Sequence, residues 1–446
     1  MTQSAPCACS PLLKVSRVSQ PYDPNSQKPP VVWTTYTYDG SGRTIAVTAP
    51  DGASTTRTSY AGNSTTVTNA ALKWKTSTVD AFGNLTLVTE PNPAGGANWT
   101  TSYTYNVLSQ LTQVTMPRPQ GTQTRTFAYT GADMTSATNP ENGTVTYTYD
   151  NAHHVATRTD ALGQQTQYTY DVYGRVTLVS HGTMSGGNFI EDLNQRMNYW
   201  YGSNGRLAAV WFGRQDNQGY SLPFSYGYTY NSAGRVTTQT MYWSMYNPNN
   251  PGSPYPETMT ETYGWDNEGK MTSMGAFDAY QYDSMGRLNG MTVNYNDGYG
   301  PWTVASAAYG PAGQLLSLTN TTPGSPSSSV SESFSYNALL QMTSMTTQPN
   351  VVNMQYNYSS TQNNGRITSS NDYVTGENVS YTYDALNRLS GASAGRMWGE
   401  AYSYDGFGNL TGKTVTQAPA PALGVSYDAN NHQLGLTYDE IGRAHV

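Results

Sequence analysis

Aliphatic residues are scarce: Leu, Ile, Val and Phe together make up roughly one residue in seven of the 446. A chain this long would ordinarily hold two or three domains, and that supply is thin for their cores. Charge is sparse too, at 11% Asp, Glu, Lys and Arg with a formal net charge of -7. The pairing of low hydrophobicity with high net charge that marks disorder is therefore missing, and the chain is expected to fold. Lys and Arg do not cluster, which argues against the electrostatic grip needed for nucleic acid, so no DNA or RNA partner is expected. No run reaches the apolar length of a bilayer-crossing helix, so no membrane span is expected either. Met1 to Ser10 lack the basic and apolar regions of a secretion signal, as expected if the chain begins inside a longer protein. Cys7 and Cys9 are the two cysteines, and a lone Cys-x-Cys without a second pair reads as two incidental thiols rather than a metal site.

What the chain has in excess is tyrosine, 37 of them, within an aromatic fraction of 12%. Tyr, Thr and Val suit a half-wet pleated surface, and an all-β fold is the expectation. One six-residue phrase returns roughly every 20 to 30 residues, as in an array whose unit is a single supersecondary element. Its best copies are Tyr38-Asp39-Gly40-Ser41-Gly42-Arg43, Tyr170-Asp171-Val172-Tyr173-Gly174-Arg175 and Tyr282-Asp283-Ser284-Met285-Gly286-Arg287. Looser copies start at Tyr105, Tyr149, Tyr201, Tyr230, Trp265, Tyr309, Tyr336, Tyr383, Tyr404, Tyr427 and Tyr438. Counting the weakest gives about eighteen.

Upstream of the phrase the residues alternate, as in Thr144-Val145-Thr146-Tyr147-Thr148-Tyr149, placing tyrosines on one face of a strand and threonines on the other. Tyr ends the incoming strand. Asp bonds a backbone N–H two residues on, Gly supplies the positive φ that closes a short hairpin with a bulge, and Arg opens the return strand. Asn387, in the copy Tyr383-Asp384-Ala385-Leu386-Asn387-Arg388, and Asn431 occupy the Gly position, and Asn is the next-best residue there. Ser109 and Leu340 occupy it in the copies headed by Tyr105 and Tyr336, where a distorted turn or a changed turn type is expected.

Tyr-Asp-x-x-Gly-Arg at this spacing, from Trp33 to Asp439, resembles the YD repeats of the RHS family. The resemblance implies tandem β-hairpins winding into a large curved or spiral β-sheet shell, of which this chain holds a part. In bacterial members such a shell encloses a toxin-like C-terminal cargo; in the animal teneurins it serves adhesion. The resemblance also implies secretion or presentation at a bacterial cell surface. The family's self-cleaving core has Asp-Pro-rich motifs, whereas the one Asp-Pro here is Asp23-Pro24, near the N-terminus. A simple width argument also favours a hollow form: about 36 strands at ~4.8 Å give a sheet ~170 Å wide, which cannot stay flat. A β-propeller is the competing solution, but its stacked blades need more aliphatic residues. The expected organisation is an irregular segment over 1–30, a YD-repeat β-shell over 31–439, and a non-native tail over 440–446. Those last seven residues match the peptide that a short-read sequencing adapter encodes in one frame, although Tyr438 to Arg443 also satisfies the repeat.

Nothing in the sequence points to a catalytic, cofactor or metal site. Of five histidines, His153 takes a Gly position, His154 and His432 take Arg positions, His181 ends a strand and His445 lies in the tail. Glu141, Asp192, Glu257 and Glu332 show no pairing that suggests acid–base work. Trp99, Trp200, Trp211, Trp243, Trp265 and Trp302 are read as cross-strand packing, with stacking on a glycan as the alternative. Asn247 to Pro256 and Thr322 to Ser329 read as projecting loops. The expectation is a structural, non-enzymatic wall segment whose partner is the cargo of the full-length protein. Adhesion to a glycan or a cell-surface protein is the alternative, and a glycosidase-like enzyme would need two carboxylates across one cleft.

Overall fold

The computed structural model describes residues 2–5, 14–22, 31–213, 224–245, 255–275, 278–294, 301–322 and 328–445. Cys7, Cys9 and Asp23-Pro24 lie outside them, as does most of each expected projecting loop. Strands of two to eleven residues, rich in Thr, Tyr, Ser and Val, follow one another along the described residues. Among the described residues the one helix is a single 3-10 turn, Leu193–Gln195.

The chain divides into two compact units, Met1–Thr124 with Ala305–Leu434, and Arg125–Val304 with Gly435–Val446. One continuous repeat region over 31–439 was the expectation; the division differs because stretches remote in sequence lie together. In the first unit an antiparallel meander runs from Thr2–Ala5 to Leu111–Arg118, each strand bonded to the next. A second meander in that unit runs on to Leu423–Gly424. The second unit is likewise a meander, from the strand Gly121–Thr130, whose first four residues belong to the first unit, to Leu288–Val293.

The N-terminal segment corrects the expectation of an irregular 1–30. Lys14–Ser19 is a strand that pairs antiparallel with Trp33–Tyr38, Arg17 opposite Thr35, and Thr2–Ala5 pairs with it in turn. Its Val-Ser-Arg-Val-Ser pattern lacks the alternation of the repeats, so the neighbouring strand edge, rather than its own periodicity, makes it a strand. At the other end Ala444–His445 pairs with Thr437–Tyr438 around a turn at 439–443.

The faces of each strand are unequal. In Gly143–Tyr149, Val145, Tyr147 and Tyr149 are covered while Thr144, Thr146 and Thr148 are exposed. Hydroxyls on the open face bond across strands, Thr148 to Thr157 at 2.7 Å and Thr229 to Thr238 at 2.6 Å. The covered face holds the core, a row of small buried residues at two repeat positions. Val145 and Val379 lie four residues before a turn's Tyr; Val88, Val179, Val210 and Ala392 lie four residues after its Arg position. Val379, Ala392 and Ala394 form a cluster flanked by Tyr381, Trp398 and Tyr402. Aromatic rings thus roof a line of small side chains, which explains how so few aliphatic residues suffice. Such a row has no room for larger residues. Ala392→Leu should lower stability in chemical denaturation by about 1 to 3 kcal/mol, while Thr382→Leu on the open face should change it by less than about 0.5 kcal/mol.

Candidate functional site

The repeat turn carries most of the specific side-chain chemistry, and one aspartate organises it. Asp39 Oδ1 accepts from the backbone N–H of Ser41 and of Arg43, both at 2.9 Å, while Oδ2 accepts from Arg43 Nε at 2.7 Å. Gly42 N–H donates to the Asp39 carbonyl at 2.9 Å, and Asp39 N–H to the Arg43 carbonyl at 3.0 Å. Asp171 with Arg175, Asp283 with Arg287 and Asp384 with Arg388 repeat the arrangement. Gly42, Gly174 and Gly286 have φ of 75°, 74° and 77°, and Asn387 has 63°. Both oxygens of the carboxylate accept from donors, which favours its charged form. The Arg43 backbone N–H lowers the Asp39 pKa, the Arg287 backbone N–H lowers that of Asp283, and the Arg175 side chain lowers that of Asp171. The Lys270 ammonium takes Asp266 down to about 2.

Ser109 and Leu340 do not distort their turns. Their φ values are 59° and 59°. Asn106 and Asn337 supply the bracing oxygen to the residues two and four positions on, at 2.9 to 3.1 Å. The cost of a side chain at positive φ, about 1 to 2 kcal/mol, is outweighed by the bonds that the brace and the flanking ladder make together. The same brace closes turns that lack a preceding Tyr, at Asn69, Asp80 and Asp160. In the first of these Leu72 takes the Gly position at φ 61°.

The tyrosine has a role that sequence reading missed. Its hydroxyl donates to the carbonyl of the residue that follows Arg in the preceding repeat. Tyr170 reaches Val155 at 2.8 Å, Tyr201 reaches Val176 at 2.9 Å, Tyr282 reaches Met271 at 2.6 Å, and Tyr404 reaches Leu389 at 2.9 Å. Trp265 makes the same bond through its indole N–H, to Val236 at 2.7 Å, which accounts for Trp in a Tyr position. The guanidinium works in the opposite direction. Arg43 lies over Tyr60, Arg175 over Tyr201 and Arg388 over Tyr404, at 4.2 to 4.6 Å from the ring centroids. Arg175 and Arg388 also donate to backbone carbonyls of the next turn, Gly205 and Asp405.

A bulge sits beside this contact, on the return strand rather than at Gly. Tyr170 pairs with Val176 but Thr169 with Leu178, so Thr177 is extra. The same shift follows Tyr38, Tyr105, Tyr149, Tyr282, Tyr383 and Tyr404. Bulges bend a strand and increase its twist, so every repeat contributes a step of curvature.

The remaining candidates fall into structural places. His153 has φ 63° and bonds Asp133 at 2.8 Å. His154 is braced by Asp150 and stacks on Tyr170 at 4.6 Å, standing in for Arg. His432 N–H donates to Asp428, and His181 meets Thr166 at 3.1 Å. Glu141 pairs with Arg125 and Asp192 caps the 3-10 turn. Glu257 and Glu332 lie on the strands Tyr255–Trp265 and Ser328–Tyr336. Trp200 is exposed, whereas Trp99, Trp211, Trp243, Trp265 and Trp302 are half-buried. Among the described residues no three His, Cys, Asp or Glu groups gather as a metal site.

Within the first unit the turns of the second meander dock on the opposite edge of the first. Gln20 Nε2 donates to the Ala338 carbonyl at 2.7 Å, and Asn363 N–H donates to Ser54 Oγ at 3.1 Å. Arg118 Nε donates to the Gly406 carbonyl at 2.9 Å, and Gly406 N–H donates to Gln120 Oε1 at 3.1 Å. Gln123, the most deeply buried large side chain, donates to Ala429 O and Asn431 Oδ1. These pairs are 286 to 318 residues apart in sequence, so five hydrogen-bonded points lock one edge to the other.

Three outcomes check the turn. Gly174→Val forces a β-branched residue to positive φ and should cost about 1 to 2 kcal/mol or more in chemical denaturation, whereas Leu340→Gly should raise stability by up to about 1 kcal/mol. Tyr404→Phe leaves the Leu389 carbonyl without its donor and should cost about 1 kcal/mol. The depressed aspartates give stability that is fully present above the unfolded carboxylate range near pH 4 and lost as pH falls through their folded values, for Asp266 about 2. Acid titration followed by circular dichroism should therefore show a loss below about pH 4, and Asp171→Asn, which keeps the acceptor oxygen, should flatten it.

The family model that matches is the RHS Repeat, at residues 152–183, which span the turn at His153-His154 and the one at Asp171. No curated protein matches the chain by sequence. Among solved structures, the TcdB2-TccC3-Cdc42 complex is similar with a TM-score of 0.73 and 16% identity, covering 94% of this chain and 24% of that one. The Photorhabdus luminescens Tc holotoxin pore gives a TM-score of 0.74 at 16% identity, covering 93% of this chain and 23% of that one. TcdB2-TccC3 without its hypervariable C-terminal region gives 0.71 at 16% identity, covering 90% and 22%. This chain thus spans about a quarter of the solved chains whose fold it shares. The chain thus carries an RHS Repeat at residues 152–183, within a turn of one geometry that recurs along it, and shares the fold of these structures.

Proposed function

We propose that the chain is a stretch of shell wall from a longer RHS-repeat protein, enclosing a variable C-terminal segment of that protein. The observation that carries this reading is the locked seam of the first unit, where turns dock by hydrogen bonds on an edge 286 to 318 residues away. A wall built from a long strip needs its edges joined at intervals along their length. A scaffold for a single catalytic cleft has no such need. The open hydroxyl face suits an aqueous surface, and the turn's charged side chains are spent on the turn itself, so the role is architectural rather than catalytic.

The cargo belongs to the proposal, as does delivery outside a bacterial cell. Both are supported by the solved structures of like fold, one described as lacking a hypervariable C-terminal region and another as containing Cdc42. A glycan-binding role loses its motivating feature, since five of the six tryptophans considered are half-buried. The test uses the full-length gene product with a protease site placed in its C-terminal segment. Resistance of that site under native conditions, lost in the double variant Arg118→Ala with Gln123→Ala, is the expected result. Cleavage of the native protein as fast as of the isolated segment would sink the enclosure reading.

A further inference from the structure

The seam of the first unit repeats one contact, and one turn departs from it. Turns of the second meander at 337–341, 359–366, 384–388, 405–409 and 428–432 meet the edge of the first meander that carries its connections between repeats. In three of these turns the residue after the bracing Asp or Asn offers its carbonyl to a side-chain donor across the seam. Ala338 accepts from Gln20 at 2.7 Å, Gly406 from Arg118 at 2.9 Å and Ala429 from Gln123 at 3.1 Å. Gly406 adds its N–H, which donates to Gln120, and the turn at 359–366 uses the Asn363 N–H instead.

The turn at 384–388 has Ala385 in this place. Its brace is intact, with Asp384 Oδ1 accepting from the N–H of Leu386 and of Arg388. Among the described residues, though, neither the N–H nor the carbonyl of Ala385 has a hydrogen-bond partner, and the turn makes no bond to the first meander. A cleft of about 320 Å³ lies there instead, with Ala385 on one wall and Lys73, Lys75 and Glu90 on the other.

Charge decides what fits. Lys75 pairs with Glu90 at 2.7 Å, and Asp384 with Arg388 at 2.6 Å. The ammonium of the half-buried Lys73 has no acceptor among the described residues. The cleft walls therefore carry one positive charge in excess. They offer donors at Lys73 and the Ala385 N–H, and an acceptor at the Ala385 carbonyl. Half-buried polar groups gain most from a ligand that pairs with all of them, and bonds to an ion are the stronger kind.

We propose that this cleft binds a small oxyanion that also carries a hydroxyl, hydrogen phosphate being the simplest. Its oxygens accept from Lys73 and the Ala385 N–H, and its O–H donates to the Ala385 carbonyl. Bound there, it joins the two edges at a turn whose own groups do not, as Arg118 and Gln120 together do at Gly406. The site stands on the seam alone and not on the enclosure of a cargo.

Calorimetric titration of the chain with inorganic phosphate at pH 7, against sodium chloride of matched ionic strength, reads the binding. Saturable binding in the millimolar range is expected, with a melting temperature that rises as phosphate is added. Sulfate at this pH has no O–H and should bind severalfold more weakly despite its full double charge. Lys73→Gln should weaken phosphate binding about tenfold or more. Ala385→Pro removes the N–H at a turn position that suits proline and should weaken it too. Neither residue bonds across the seam, so without phosphate both variants should keep the parent's circular dichroism and melting profile. No saturable binding by the parent, sulfate binding as tightly as phosphate, or Lys73→Gln binding phosphate as the parent does would each overturn the proposal.

Discussion

A single side-chain oxygen, on Asp or Asn, that accepts the backbone N–H groups two and four residues on is the constraint on which the rest depends. It fixes the turn before the residue at the Gly position has any say, which is why Ser109, His153, Leu340, Asn387 and Asn431 all adopt the same φ, from 59° to 63°. With the turn fixed, Tyr ends its strand at a set distance from the residue after Arg, and the bulge follows two residues beyond Arg. The tyrosine hydroxyl then finds the carbonyl of the repeat before, and the Arg side chain the ring and turn of the repeat after. Each repeat is thereby bonded to both neighbours through groups of one short motif. Stability in such an array is close to a sum of repeat and neighbour terms, so loss of one turn weakens its two junctions without abolishing the rest.

This arrangement resolves the shortage of aliphatic residues. A sheet usually buries one face against another layer, and a sandwich of this length would demand apolar faces that the sequence lacks. Here the cover comes from within the same face. Tyr381, Trp398 and Tyr402 pack against Val379, Ala392 and Ala394, and the polar tips of Trp398 and Tyr402 donate to the carboxylates of Glu377 and Glu400. The hydrophobic contribution per repeat is small, and hydrogen bonds set which geometry wins, because a buried carbonyl left without a donor costs more than a made bond gains.

How much of this was legible follows from the range of each interaction. The turns at Asp39, Asp171, Asp283 and Asp384 could be read because the side chain, the positive φ and the ion pair lie within six residues. The distortion expected at Ser109 and Leu340 did not occur, because the cost of φ was weighed without the brace that opposes it. The repeat headed by Tyr358 escaped notice because seven residues separate it from Arg366, where four separate Tyr38 from Arg43. Its hydroxyl nevertheless reaches the Met342 carbonyl at 3.0 Å. The bulge, the small-residue row and the strand Lys14–Ser19 depend on cross-strand register, which composition and spacing do not encode. The seam is more remote still, since Gln123 and Asn431 look like ordinary surface amides until the two edges meet.

The residues tolerated at the Arg position show which part of the coupling matters. Asn84 donates to Ser109 in the next turn, Gln341 to Asn363, Asn409 to Asn431, and His154 stacks on Tyr170. The three amides carry no charge, yet each of these side chains reaches forward with a donor or a flat ring. Coulomb attraction between exposed groups is weak and screened by salt, whereas reach and planarity are indifferent to ionic strength. The junction between repeats is therefore chosen for geometry, with charge an addition in the copies that keep Asp and Arg. An array assembled this way holds its joints in any salt, and acid, which protonates the bracing carboxylates, is the condition that its chemistry leaves it exposed to.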